Sequence, residues 1–119
     1  MIKDTPAAEP EIRLSSLETH VLLVLAEHDL HGYGIAKAIE RREGPRIFPA
    51  NLYRHLKSMA ARGLIQPQPP TLDESGRARR QFHITNLGQA AVRQEGQRLR
   101  RLLTEFEMKN LLPAKPPAK

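Results

Sequence analysis

The chain has 119 residues, a net charge of +6 and no cysteine. That length supports one domain with one modest core, and the missing thiols exclude disulfides, thiolate zinc sites and a cysteine nucleophile. No apolar run nears the roughly 18 residues of a membrane span, and the polar start MIKDTPAAEPEIR lacks an apolar signal region, which points to the cytoplasm.

Residues 1–13 carry Pro6 and Pro10 without periodicity and are expected to form a disordered arm. SSLE, Ser15 to Glu18, is a capping box: the Ser15 hydroxyl accepts from the Glu18 amide while the Glu18 carboxylate reaches back. The helix it opens is expected to reach about His28. Leu17, Val21, Val24 and Leu25 recur at helical spacing, and Leu22 and Leu23 widen the stripe until little of it can face water. DLHGYGIAKAIERREG begins with turn chemistry and continues as a second helix from about Tyr33 to Glu43, with Ile35, Ala36 and Ile39 inward and Gly44 as its stop. Gly34 in its first turn costs about 1 kcal/mol against Ala, so close packing is expected there.

Pro49 is well suited to start a third helix, because its missing N–H would be unpaired there anyway. Gly63 is placed to end that helix in a left-handed cap. Leu52, Leu56 and Met59 fall on one side. Asn51, Arg54, His55, Ser58 and Arg62 fall opposite, with Lys57 on the flank. LIQPQPPTLDESGRARRQFHIT then reads as a hairpin, with strands from Leu64 to about Gln68 and from Arg80 to Thr85, Phe82 and Ile84 alternating inward. DESG supplies the turn, followed by Arg77, Arg79 and Arg80, while Pro67, Pro69 and Pro70 force a short or irregular edge. Thr85 or Asn86 caps a last helix to about Asn110. Leu87, Ala91, Leu99, Leu102, Leu103 and Phe106 form its seam, and PAKPPAK is a tail that cannot fold alone.

Three helices and a basic-tipped hairpin make a mainly α fold with a small β-hairpin (α+β), the layout of a winged helix-turn-helix with a long C-terminal dimerisation helix. The expected division is a disordered arm (1–13), a winged helix-turn-helix (14–85), a dimerisation helix (86–112) and a disordered tail (113–119). Residues 37–101 hold fourteen Lys or Arg against five acids, whereas the first 29 residues are net negative. A basic block of this kind suits a polyanion. In a major groove roughly 12 Å wide the third helix must pack with one face and read with the other. Asn51 suits adenine and Arg54 guanine; Ala50, His55 and Ser58 lie on or beside the same face; Lys57 and Arg62 suit phosphates. Arg77, Arg79 and Arg80 would reach the neighbouring minor groove or its phosphates. The seam of the last helix is too long for one small core, which leaves Leu99, Leu102, Leu103 and Phe106 for a second copy of the chain and favours a palindromic site.

HGYGIAKAIE, NLYRHLKSMAARGLI and RRQFHITNLGQAAV, in that order, resemble the PadR family of bacterial transcriptional regulators. The resemblance covers about Leu14 to Val92. It implies a dimeric DNA-binding repressor, nucleoid-associated in a bacterial cytoplasm, whose C-terminal helix packs against its partner. It also implies a role near the DNA backbone for Tyr33 and Tyr53. The chain departs from the pattern at Phe82 and His83, where paired aromatics are usual, in its proline-rich first wing strand and in stopping after one helix. It has no tryptophan, so the family's aromatic-effector mode cannot be carried over.

Plainer readings stand beside these. Asn51 and Arg54 are also ordinary solvated helix residues, and Tyr33 and Tyr53 ordinary packing residues. Leu17, Val21, Leu99 and Phe106 would line an effector pocket or, more simply, fill a core. His28 and His31 with Glu27 and Asp29 straddle a helix end and make a poor metal set. No catalytic motif is present, and neither an enzyme nor a cofactor is expected. The rivals to a specific DNA reader are a winged-helix protein–protein interaction module and a non-specific architectural DNA binder.

Overall fold

The computed structural model describes residues 12–42 and 44–113. The expected arm before Ile12, Glu43 at the expected end of the second helix and the tail after Pro113 lie outside them. Both halves of the capping box form at the head of α1 (Ser16–Leu25): the Glu18 amide donates to Ser15 Oγ at 3.1 Å, and the Ser15 amide to the Glu18 carboxylate at 3.0 Å. The helix ends short of His28, with Ala26 as its C-cap, and Leu23 faces outward rather than joining the core.

Beyond that turn lies β1 (Leu30–His31), which the sequence pattern does not reveal. Two residues cannot display alternation; this strand exists because β5 (Gln81–Ile84) offers it a ladder, Leu30 opposite Phe82 and His31 opposite Gln81. The His31 imidazole then caps α2 (Gly32–Arg41), its Nδ1 accepting from the Gly34 amide at 3.2 Å. Gly34 is indeed closely packed, since a Cβ there would lie 3.3 Å from the Leu30 side chain.

Helix α3 (Pro49–Ala61) starts at its proline and buries Leu52, Leu56 and Met59 against α1 and α2 residues. Gly63 takes the left-handed conformation (φ 78°) and turns the chain into β2 (Ile65–Pro67). The sheet is antiparallel in the order β1-β5-β2, with the buried pair Ile65 and Ile84 in register. The Gln68 amide still donates to the Gln81 carbonyl oxygen at 2.8 Å, but the expected hairpin is interrupted at Pro69 and Pro70, whose ring nitrogens cannot donate. Pairing resumes as a separate ladder, β3 (Thr71–Leu72) with β4 (Ala78–Arg79), which forms the tip of the wing.

Thr85 joins this body to α4 (Asn86–Met108). Its hydroxyl points between the Gly63 and Leu64 carbonyl oxygens (2.6 and 3.0 Å) and accepts from the Gly88 amide at 2.9 Å. At Gly88 the backbones approach so closely that a Cβ would sit 2.1 Å from the Leu64 carbonyl oxygen. The first half of α4 packs through Ala91 and the half-buried Val92. The second half does not. Leu99, Leu102, Leu103 and Phe106 are each more than 40% exposed, so of the four residues expected to meet in one core only Val21 and Leu17 reach it. None of the helices among the described residues is long and apolar enough to cross a membrane.

Candidate nucleic-acid interface

The buried stripe of α3 fixes which side chains it presents outward. Ala50, Tyr53, Arg54, Lys57 and Ser58 are exposed, whereas Asn51 and His55 are half-buried. Of the expected outward group, Arg54, Ser58 and Arg62 are exposed and Asn51 and His55 half-buried, but His55 and Arg62 are already engaged. The reason is Glu18. This almost fully buried α1 carboxylate accepts from Arg62 Nη2 at 2.6 Å and contacts His55 Nδ1 at 3.1 Å, so both side chains are committed to α1. Burial pushes the Glu18 carboxyl up, but hydrogen bonds from the Ser15 amide, His55 and Arg62 outweigh it and hold the group below its ordinary value. Because an ionised carboxylate can only accept, the His55 contact is a hydrogen bond when the ring carries its proton on Nδ1. On the outward face, Arg54 Nη2 donates to the Asn51 side-chain oxygen, so the two residues expected to read bases are hydrogen-bonded to each other.

The wing is organised by one carboxylate. Asp73 Oδ1 accepts from the Ser75 amide (2.9 Å), the Ser75 hydroxyl (2.7 Å) and the Arg77 amide (2.9 Å), and Oδ2 accepts from Arg79 Nε at 2.6 Å. Hydrogen bonds from Ser75 and Arg77 hold the Asp73 carboxyl far below the ordinary range. Gly76 completes the turn with φ 84°, a conformation open to glycine. Arg77 and Arg80 are exposed. Arg79 is more enclosed: its guanidinium carbon lies 5.8 Å from the centroid of the Tyr33 ring, and the Lys37 ammonium lies 5.5 Å from the same ring. Cation–π attraction thus ties the wing to the start of α2.

The helix and the wing meet. An open cleft of about 440 Å³ runs between Tyr53 of α3, His31 and Gly32 of the β1–α2 junction, and the Arg77–Arg80 segment. Gly32 makes room for Tyr53, since a Cβ there would lie 2.9 Å from the tyrosine hydroxyl. Sequence reasoning missed Glu18 and Asp73 as organisers. Glu18 was legible only as a cap, and its partners lie 37 and 44 positions away. Asp73 was legible only as a turn residue.

Residues 21–94 match the model of the transcriptional regulator PadR-like family. The chain belongs to that family. A transcriptional regulator of Mycobacterium tuberculosis is 30% identical over 95 residues, covering 80% of this chain and 86% of its own. An uncharacterised 37.1 kDa protein of a Streptomyces fradiae transposon is 36% identical over 91 residues, 76% of this chain; the match spans only 25% of that longer relative. Among solved structures, a PadR family transcription regulator from Clostridium difficile superposes with a TM-score of 0.70 at 23% identity, covering 79% of this chain and 97% of that one. Bacillus subtilis PadR in complex with operator DNA gives a TM-score of 0.57 at 16% identity, covering 87% and 51%. At such identities the two structures establish a shared winged-helix fold. The PadR-like family is one of transcriptional regulators, not of enzymes.

Proposed function

We propose that this PadR-like protein is a sequence-specific DNA-binding repressor that acts as a homodimer on a palindromic operator in the bacterial cytoplasm. One observation carries the reading: Tyr53, an exposed residue of α3, and the arginines of the wing border the same cleft. A helix laid in the major groove would then bring the wing to the adjacent backbone without rearrangement. The Bacillus subtilis relative held on operator DNA supports the same use of the fold.

In this reading Arg54 and Asn51 act as a pair against base edges, with Ala50 and Ser58 beside them. Lys57, Tyr53, Arg77 and Arg80 meet phosphates or sugars. Tyr33 and Arg79 hold the wing at its working angle. His55 and Arg62 act mainly by fastening α3 to α1 through Glu18. The dimer forms along Leu99, Leu102, Leu103 and Phe106 and sets two copies of α3 about 34 Å apart, one turn of DNA.

The test is competition binding on the gene's own upstream region at two salt concentrations. A specific reader loses affinity with salt by about 0.9 log units per phosphate contact and per log unit of salt, yet keeps its preference for a cognate palindrome over random DNA. Loss of the preference at either salt leaves an architectural binder; absence of DNA affinity at moderate salt leaves a protein-binding module.

A further inference from the structure

Phe48 breaks two local rules at once. It is the N-cap of α3, a position where Ser, Thr, Asp or Asn would bond a free amide, and it provides no side-chain cap. Its ring is also 68% exposed, although aromatic rings gain most from burial. The backbone leaves the ring little choice of place. Ile47 is buried in the core on one side, and Pro49 holds Phe48 extended (φ −94°, ψ 131°) on the other. The ring is therefore exposed next to Ala50, at the N-terminal end of the helix that carries Asn51 and Arg54. That is the end from which a recognition helix addresses base edges.

Resting on the DNA-reading proposal above, we infer that Phe48 is a specificity-determining residue whose ring packs on the 5-methyl group of a thymine in the major groove. The methyl group is the one apolar feature of the groove edge, and it distinguishes thymine from every other base without a hydrogen bond. A ring held away from its own core is matched to that feature. A cap residue would serve the free helix better and read nothing there.

The experiment starts from an operator enriched from random oligonucleotides, with each thymine replaced in turn by deoxyuridine, which removes the methyl group alone. The wild-type protein is expected to lose about fourfold in affinity at one thymine per half-site, the worth of one buried methyl. Phe48→Ser and Phe48→Ala should lose nothing at that position, while Phe48→Ser, having regained a cap, melts at the same temperature or a few degrees higher. Indifference of the wild type to every deoxyuridine overturns the assignment, and so does an undiminished penalty in both variants. A lower melting temperature in both variants means that the ring packs on its own chain, which overturns the assignment too. A selection that enriches no sequence removes the DNA-reading proposal itself, and this inference with it.

Discussion

Helices α3 and α4 both leave one face uncovered, and the two faces differ in kind. The uncovered side of α3 carries Arg54, Lys57 and Ser58, groups that water satisfies while they wait. The uncovered side of α4 after Glu95 carries Leu99, Leu102, Leu103 and Phe106, which water penalises. A polar face can exchange partners. An apolar face of that length calls for a permanent one, so in the proposed assembly composition alone would separate a reversible contact from a constitutive one.

The comparison breaks most readily at α4. In the proposed dimer, Leu103→Asp would remove roughly 1.5–3 kcal/mol of burial from each protomer, and a two-fold interface would count it twice. The dimer dissociation constant should therefore rise at least about a hundredfold in sedimentation experiments, without a lower melting temperature for the monomer. A wild-type chain that is already monomeric at micromolar concentration would remove α4 as a permanent interface. On α3, Arg54→Ala should cost about 1–3 kcal/mol on the cognate operator and little on random DNA, relaxing preference at one base position.

The seat of α3 is tested through Glu18. Glu18→Gln keeps the shape and loses the charge shared by Arg62 and His55, and should lower stability by about 1–2 kcal/mol, because both partners are partly solvated. The folded carboxyl is held below its unfolded value. Its stabilisation is thus complete above the ordinary glutamate range and disappears as the pH falls through that range towards the folded value. Thermal melts from pH 7 to pH 3 should show a shallower acid decline in the variant. A matching decline would mean that the ion pairs contribute nothing. The smallest effect belongs to the wing: Arg77→Ala should weaken all sequences alike and reduce the salt slope by about 0.9. Arg79→Ala should weaken binding with less change of slope, because that guanidinium is already engaged by Asp73 and Tyr33.

What could be read in advance was what is local. SSLE marks a helix start and Pro49 to Gly63 encloses a helix, because caps and periodicity act within a few residues. The prolines of the wing correctly foretold an irregular ribbon, though not that it would divide into two ladders. What escaped was created by tertiary contact. β1 exists only through β5, and the engagement of His55 and Arg62 depends on a carboxylate on another helix. A helical wheel shows which way a side chain leaves its own helix; it cannot show that another helix offers it a carboxylate. The same limit applies to Phe48, whose type suggests burial and whose place, between Ile47 and Pro49, forbids it.

Thr85 has a mechanical consequence. One hydroxyl grips the terminal carbonyls after α3 and the opening amide of α4, and Gly88 holds α4 against the same carbonyl. The junction behaves as a weld rather than a hinge. In the proposed assembly the span between the two DNA-facing helices would follow from how the two long helices cross, so a degree of rotation at the far seam would reappear as a change of pitch at the operator.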